Sequence, residues 1–430
     1  MSTRSPDAAP LGLSLTLEAA RRHIREREAD IRAFVCVTDR PGADADAKTP
    51  LAGVPYSLKD VWDVAGLATT GGARLFCARI ARESGPVHRA FEEAGAALVG
   101  KTNLSDLAMT PECASSLRGR TVHPMDPTRT PGGSSGGGAA AVACGMSAFD
   151  WGSDFGGSIR LPSAFCGLVG LRLSASSWPP VGHFPVMHPC VGLNGMGPLT
   201  ATVADCRAVL DAVRSRLCVT RDTGFVVRGL AHWSPDAQTV GEWSGFEREV
   251  TEAAGAAGLP IERADLPGPT AVNELFTRVL AASFGDWFPG DRRSLEVAAV
   301  RSLAMRVVGR GTDLHADTAL VLLQLRALAA REALRPGRAT RERGRLCDSV
   351  QALWARGRVV IAPTSTVSAP RHGRVRATPG ATAFVKLANL LDATALTIPW
   401  GRFPSGLPRG LQLVGPPGSE RALTELALGP

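Results

Sequence analysis

The sequence predicts an α/β protein. Helix-then-strand rhythms recur through the first 200 residues, two glycine-rich loops each open onto a helix, and short apolar runs bounded by Gly and Pro return near the end of the chain. Residues 14 to 30, with "LEAARRHIRERE", read as a charged amphipathic helix. "LAGVPYSLKDV" (51–61) reads as a broken turn running into a strand. "GPVHRAFEEAGAALVGKTN" reads as helix then strand, with Val87, Phe91 and Leu98 on the apolar side and Gly95 at the switch. "GGAAAVACGM" starts a helix directly after a glycine loop, and "SAFDWGSDFGGSIRLPSAFCGLVGL" gives strand, Gly-rich turn and short helix.

The middle, about 210 to 345, is rich in Arg and Ala and mostly helical, with "DTALVLLQLRALAAREAL" as its clearest periodic segment. "GRVVIAPTST", "ATALTIPWG" and "RGLQLVG" then supply late strands suited to rejoin the sheet begun by the first 200 residues. We therefore expect one domain over 1–430, with its core at 50–210 and 355–425. The helical excursion at 210–345 is expected to shape substrate choice.

The 430 residues are 44% hydrophobic and 20% charged, which is ordinary globular usage, and no run of about 18 apolar residues offers a membrane span. The start, "MSTRSPDAAPLGLSL", lacks the basic-then-apolar order of a secretory signal, so a cytoplasmic location is expected. Nine cysteines occur without a C-x-x-C pair, which argues against a zinc site or disulfide framework and for small buried residues. No metal and no cofactor is expected. The net charge of +8 is dispersed, densest in "RPGRATRERGR" (335–345), and reads as a solvated face with no nucleic-acid partner.

Of 48 Lys plus Arg, only Lys48, Lys59, Lys101 and Lys386 are lysines. A chain that uses Arg wherever a plain cation suffices keeps lysine where an amine must lose its proton.

Gly132 to Gly136 fits G-x-S-x-G, the nucleophile elbow of an α/β-hydrolase. That reading demands an acid and then a histidine downstream. His372, in "APRHGRV", is the best of a poor set and reads as a surface-loop residue, and "HPMDPTRTP" breaks the required strand before the loop. A phosphate loop would need a Walker lysine, but Gly138-Ala139 stands there. A linker is undercut by the apolar "AAAVA" that follows.

What remains is a glycine loop offering backbone N–H donors at a helix start. A second such loop, "GSDFGGSIR", places Ser158 24 residues after Ser134, and Lys59 lies 75 residues before Ser134. A neutral lysine drawing a proton through one serine from another, beside backbone donors for an oxyanion, makes an acyl-transfer device without histidine. The plain alternative for Lys59 is a salt bridge to Asp60 or Asp63.

"GVPYSLKDV", "GAALVGKTNLSDLAM", "PGGSSGGGAAAVACG", "GSDFGGSIRLPSAFCGLVGL" and "GLPRGLQLVGP" resemble, in order and spacing, the amidase signature family of serine hydrolases. The resemblance covers 50–210 well and 355–425 moderately. It implies a central mixed, twisted β-sheet covered by helices on both sides. It further implies Ser158 as nucleophile, Ser134 after a cis peptide bond as the bridging serine, and Lys59 as general base. The oxyanion hole would be the N–H groups of Phe155, Gly156, Gly157 and Ser158. Ser135, Asp154 and Arg160 are expected to support the site, the last two by bracing the nucleophile loop with charge-assisted hydrogen bonds. Lys101 is read as structural.

Several positions depart from the family pattern. Gly138 stands where serine is frequent, Phe155 where threonine is common, and "LRLSASSWPP" replaces a Lys-Pro-Thr-like continuation. A small hydrophobic or aryl amide is the expected substrate, with ester and carbamate cleavage by the same steps. Candidate pocket residues are Met109, Thr110, Phe155, Trp178 and His188. The family also holds the A-subunit of a tRNA-dependent glutamine amidotransferase, but "MHPCVGLNGMGPLT" lacks the Ser-Leu-Asp of its glutaminase-type members. A silent binding protein would need a broken triad. The expected partner is the small-molecule substrate alone, with the chain a monomer or homodimer.

Overall fold

The computed structural model describes residues 12–39, 48–178, 182–185, 192–217, 222–283, 292–307 and 311–428. The first part of the chain forms α1 (Leu17–Ile31), β1 (Phe34–Val37), β2 (Pro55–Lys59), α2 (Pro86–Glu93) and β3 (Ala97–Thr102). A two-stranded ribbon of β4 (Ala114–Ser115) and β5 (Gly119–Arg120) follows. Then come α3 (Gly136–Ala143), β6 (Phe149–Asp154), α4 (Arg160–Cys166), β7 (Val169–Arg172), β8 (Gly195–Thr200) and α5 (Val203–Val213). The middle contributes β9 (Gly229–His232), α6 (Phe246–Ala256), β10 (Ile261–Arg263), α7 (Pro269–Ala282), α8 (Arg292–Val307), α9 (Ala316–Glu332) and α10 (Arg338–Ala355). The chain closes with β11 (Arg358–Pro363), α11 (Lys386–Leu390), β12 (Thr394–Arg402), β13 (Pro408–Gly415) and α12 (Glu420–Leu428).

Eleven strands form one mixed sheet in the order β1-β3-β2-β6-β8-β7-β12-β13-β11-β9-β10. β2 lies parallel to both β3 and β6, whereas β6 through β8, β7, β12, β13 and β11 pair antiparallel. The late strands do rejoin the sheet. The middle is less purely helical than its composition suggests, because β9 and β10 run parallel beside β11 and extend the sheet edge. Both are short, four and three residues, and leave little period-2 signal.

Strand alternation sorts the core into two layers. Tyr56, Leu58, Phe149, Trp151, Val359, Ile361, Leu411 and Leu413 face one apolar cluster with residues of α1, α2, α5 and α6. Ala231, Val360, Ala362, Ala395 and Val414 face the other, packed by α7 to α11. Helices thus flank the sheet on both sides. The same alternation turns Ser57 with Asp150 away from the first cluster, and Ser57 Oγ donates to Asp150 Oδ2 at 2.8 Å.

α1 begins where the Thr16 hydroxyl accepts from Ala19 N and ends at Arg32 in the left-handed region. Gly95, at φ +87, separates α2 from β3 as its position suggests. Trp178, expected near the substrate, is fully buried in the first core cluster against Trp151, with ring centroids 6.1 Å apart. Its indole fills core volume. His372 also departs from expectation: its side chain is largely buried and its Nδ1 lies 3.0 Å from Glu112 Oε1. The seven described cysteines form no disulfide, and Cys144 and Cys166 are buried fillers. Among the described residues there is no His/Cys/Asp/Glu group suited to a metal and no helix long and apolar enough to cross a membrane.

Candidate active site

Lys59 ends β2 and is completely buried. Its Nζ lies 2.8 Å from Ser134 Oγ and 3.1 Å from both the carbonyl oxygen and Oγ of Ser153. These three partners satisfy the three donors of an ammonium, and equally a neutral amine that donates twice to Ser153 and accepts the Ser134 hydroxyl proton. Burial disfavours the ammonium and pulls the Lys59 pKa down to about 7, against the attraction of Asp150 and Asp154. The carboxylates adjacent in sequence are engaged elsewhere. Asp60 pairs with buried Lys101 at 2.6 Å, and Asp63 with Arg79 at 2.6 Å. Lys101 also donates to Ala68 O and Thr69 Oγ1, in keeping with a structural lysine.

Ser134 follows a cis Gly133–Ser134 peptide bond and is fully buried. The next residue, Ser135, donates its N–H to Ser158 O at 3.1 Å, so the two glycine loops are tied backbone to backbone. Gly138, in the first turn of α3, shows why this helix starts with glycines: a Cβ there would lie 2.2 Å from Asp150 Oδ1. Asp150 is buried beside Lys59, and burial lifts its pKa to about 7, keeping its charge low in this dry layer.

Ser158 sits just after β6, with 7% of its surface exposed. Its loop is organised by Asp154, which accepts from Gly157 N (2.8 Å), Ile159 N (3.1 Å) and Arg160 Nε (3.0 Å). Arg160 Nη2 adds 2.9 Å to Asp154 Oδ1 and 2.6 Å to Asn389 Oδ1, while Nη1 donates to Gln412. Both charges are entirely buried, and Arg160 with Arg172 holds the Asp154 carboxyl well below the usual range. Asn389 donates to the Asp154 carbonyl and carboxylate, locking α11 to the loop.

The expected oxyanion donors are not equivalent. The Gly157 N–H is turned onto Asp154, whereas the Gly156 and Ser158 N–H groups take no partner among the described residues. This narrows the four-donor expectation, because one donor serves the bracing carboxylate.

The amidase family model matches residues 38–424. The chain belongs to the amidase family. It is therefore grouped with C–N hydrolases. The A-subunit of glutamyl-tRNA(Gln) amidotransferase from Synechococcus sp. is 30% identical over 451 residues, covering 95% of this chain and 92% of that one. A Mycobacterium bovis protein named as a putative amidase is 29% identical over 449 residues, covering 96% and 91%. Among solved structures, 6-aminohexanoate cyclic dimer hydrolase superposes with a TM-score of 0.73 at 22% identity, covering 96% of this chain and 92% of that one, a likeness of fold.

In this amidase-family chain, half-buried Met109 and Phe155 pack on the second core cluster, where Phe155 meets Phe276 of α7 edge-on with centroids 6.4 Å apart. Thr110 is nearly buried, its hydroxyl donating to Glu112 O at 3.2 Å. His188 lies outside the described residues. Reading the sequence alone misses Asp150, Ser153, Phe276, Asn389 and Gln412. No local motif marks them, although parity with Ser57 across parallel β2 and β6 gives Asp150 a detectable signal.

Proposed function

We propose that this protein is a serine amidase that cleaves small hydrophobic or aryl amides through an acyl-enzyme on Ser158. The observation carrying the proposal is the 2.8 Å contact between Lys59 Nζ and Ser134 Oγ in a fully buried site, with Lys59 depressed to about 7. In acylation, Ser158 Oγ attacks the amide carbon while its proton passes to Ser134 Oγ, and the Ser134 proton passes to Lys59 Nζ. The tetrahedral oxyanion is received by backbone N–H groups of the 155–158 loop, with Gly156 and Ser158 best placed to donate. The C–N bond breaks as Ser134 gives a proton to the leaving nitrogen and is resupplied by Lys59. Water then attacks the ester carbonyl by the same relay, releasing the carboxylic acid and restoring Ser158. Esters and carbamates enter the same sequence at the acylation step.

The names of many relatives favour a second reading, a glutamine-hydrolysing component of an amidotransferase. Glutamine needs partners for both its α-carboxylate and its α-ammonium, whereas Phe155 and Phe276 beside the loop are apolar and the nearby cation, Lys386, already donates to Gly156 O. That composition favours the hydrophobic substrate.

Intact-mass measurement after fluorophosphonate treatment tests the proposal, using the protein and its Ser158→Ala variant beside a panel of anilides, primary amides, aryl carbamates and glutamine. One adduct on the parent, none on the variant, and turnover of anilides is the expected result. Turnover of glutamine alone would establish the second reading, and equal labelling of both proteins would remove Ser158 from its role.

A further inference from the structure

Lys386 is the fourth lysine of a chain that strongly prefers arginine, and the sequence gives it no task. It opens α11, and its Nζ donates to Gly156 O at 2.6 Å while lying 4.9 Å from the Phe276 ring centroid. The Gly156 carbonyl belongs to the same peptide unit as the Gly157 N–H, which donates to Asp154 Oδ1 at 2.8 Å. One peptide unit is therefore held at its oxygen by a cation and at its nitrogen by an anion.

We infer that Lys386 is a positioning residue for the oxyanion hole: with Asp154 it fixes the Gly156–Gly157 peptide plane, so that the flanking Gly156 and Ser158 N–H groups remain available to the substrate oxygen. The inference rests on the Ser158 acyl-enzyme reading. Two successive glycines have no side chain to select a backbone orientation, so the restraint must come from outside the loop. Flipping this peptide would turn its carbonyl toward the Asp154 carboxylate and its N–H toward the Lys386 ammonium, replacing two favourable charge–dipole contacts by two unfavourable ones. The remaining contacts of α11 are arranged to the same end. Val385 closes over Gly157, whose φ of +104 suits only glycine and whose Cβ would lie 2.2 Å from Val385 Cγ2. Asn389 grips Asp154 through both its carbonyl and carboxylate oxygens. At Gly156 a Cβ would meet Lys386 Nζ at 2.9 Å and Phe276 Cζ at 3.1 Å, so ammonium and ring close directly on the loop.

Lys386→Met keeps the stem and removes the charge. With an anilide substrate, kcat is expected to fall at least about tenfold with KM within about twofold, a fraction of the hundred- to thousandfold loss typical when an oxyanion donor is removed outright. The inhibition constant of an arylboronic acid, which forms a tetrahedral adduct on serine, should rise in proportion to the loss in kcat. Lys386→Arg, which keeps a cation, should recover part of both. A kcat and boronate affinity within twofold of the parent would overturn the inference, as would a rise in KM alone, which would make Lys386 a substrate-binding cation. Should Lys386→Met not fold, Lys386→Gln serves the same comparison. Fluorophosphonate labelling of the parent separates the two levels: a parent that does not label at Ser158 removes both, whereas a labelled parent with an unaffected Lys386 variant removes this inference alone.

Discussion

Lys59 and Ser134, 75 positions apart, meet at 2.8 Å between Nζ and Oγ, and among the described residues no carboxylate forms a salt bridge with that lysine. A buried amine next to a hydroxyl, with Asp60 and Asp63 committed to other cations, is arranged to give up its proton near neutrality.

Activity should therefore follow the neutral amine. With Lys59 titrating at about 7, kcat/KM is expected to fall toward tenfold per unit below that pH and to level off just above it, until Lys386 loses its own proton at about 8. Lys59→Met and Lys59→Arg should each lose at least about a hundredfold, since one has no base and the other cannot lose its proton. A pH–rate profile on an anilide checks both, and an active arginine variant would contradict the assignment.

The same amine opposes folding. The unfolded chain keeps a proton on Lys59 up to about 10.5, whereas the folded chain releases it at about 7, so between these values the unfolded state binds more protons. Stability attributable to Lys59 must rise with pH across that window. Denaturant titrations of the parent and Lys59→Met at pH 7.5 and 9 should show a difference that narrows as pH rises, with the methionine variant ahead at the lower pH.

Removing one member of the Asp154–Arg160 pair leaves the other charge buried without its partner. Asp154→Asn is expected to lose about 3–5 kcal/mol of stability, with turnover falling further because Gly157 and Asn389 lose an anchor. Urea unfolding with kcat measured on the folded fraction separates the two effects.

Gly138 and Asp150 should be energetically coupled. Gly138→Ala drives a Cβ to 2.2 Å from Asp150 Oδ1 and should destabilise by about 1–3 kcal/mol. With Asp150→Ala already present, the carboxylate is gone and the same change should have much less effect. A double-mutant cycle giving less than about 0.5 kcal/mol of coupling would refute the contact as the reason for glycine.

Phe155 and Phe276 place an aromatic wall beside the loop. Phe155→Thr should raise KM for anilides about tenfold while leaving a small aliphatic amide nearly unchanged, since in the proposed mechanism position 155 contributes backbone to catalysis and side chain to fit. Parallel Michaelis curves for the two substrates decide it.

Much of this protein is legible from its residues in order. The glycine loops, the strand–turn–helix around Ser158 and the scarcity of lysine are local or compositional features, and a short stretch of chain expresses them completely. Sequence by itself determined the α/β class and the helices flanking the two loops, and it proposed the set Lys59, Ser134 and Ser158. It did not determine how that set is supported. Trp178 reads as a pocket residue because an aromatic among prolines and serines suggests a loop, and only packing against Trp151 shows it to be core. Asp150, Asn389, Gln412 and Lys386 carry no motif, because each acts through a partner as many as 252 residues away. Whether a buried lysine holds its proton, and which way a glycine peptide faces, depend on the dielectric and charges around them. Those surroundings exist only once distant strands and helices have closed over the loops.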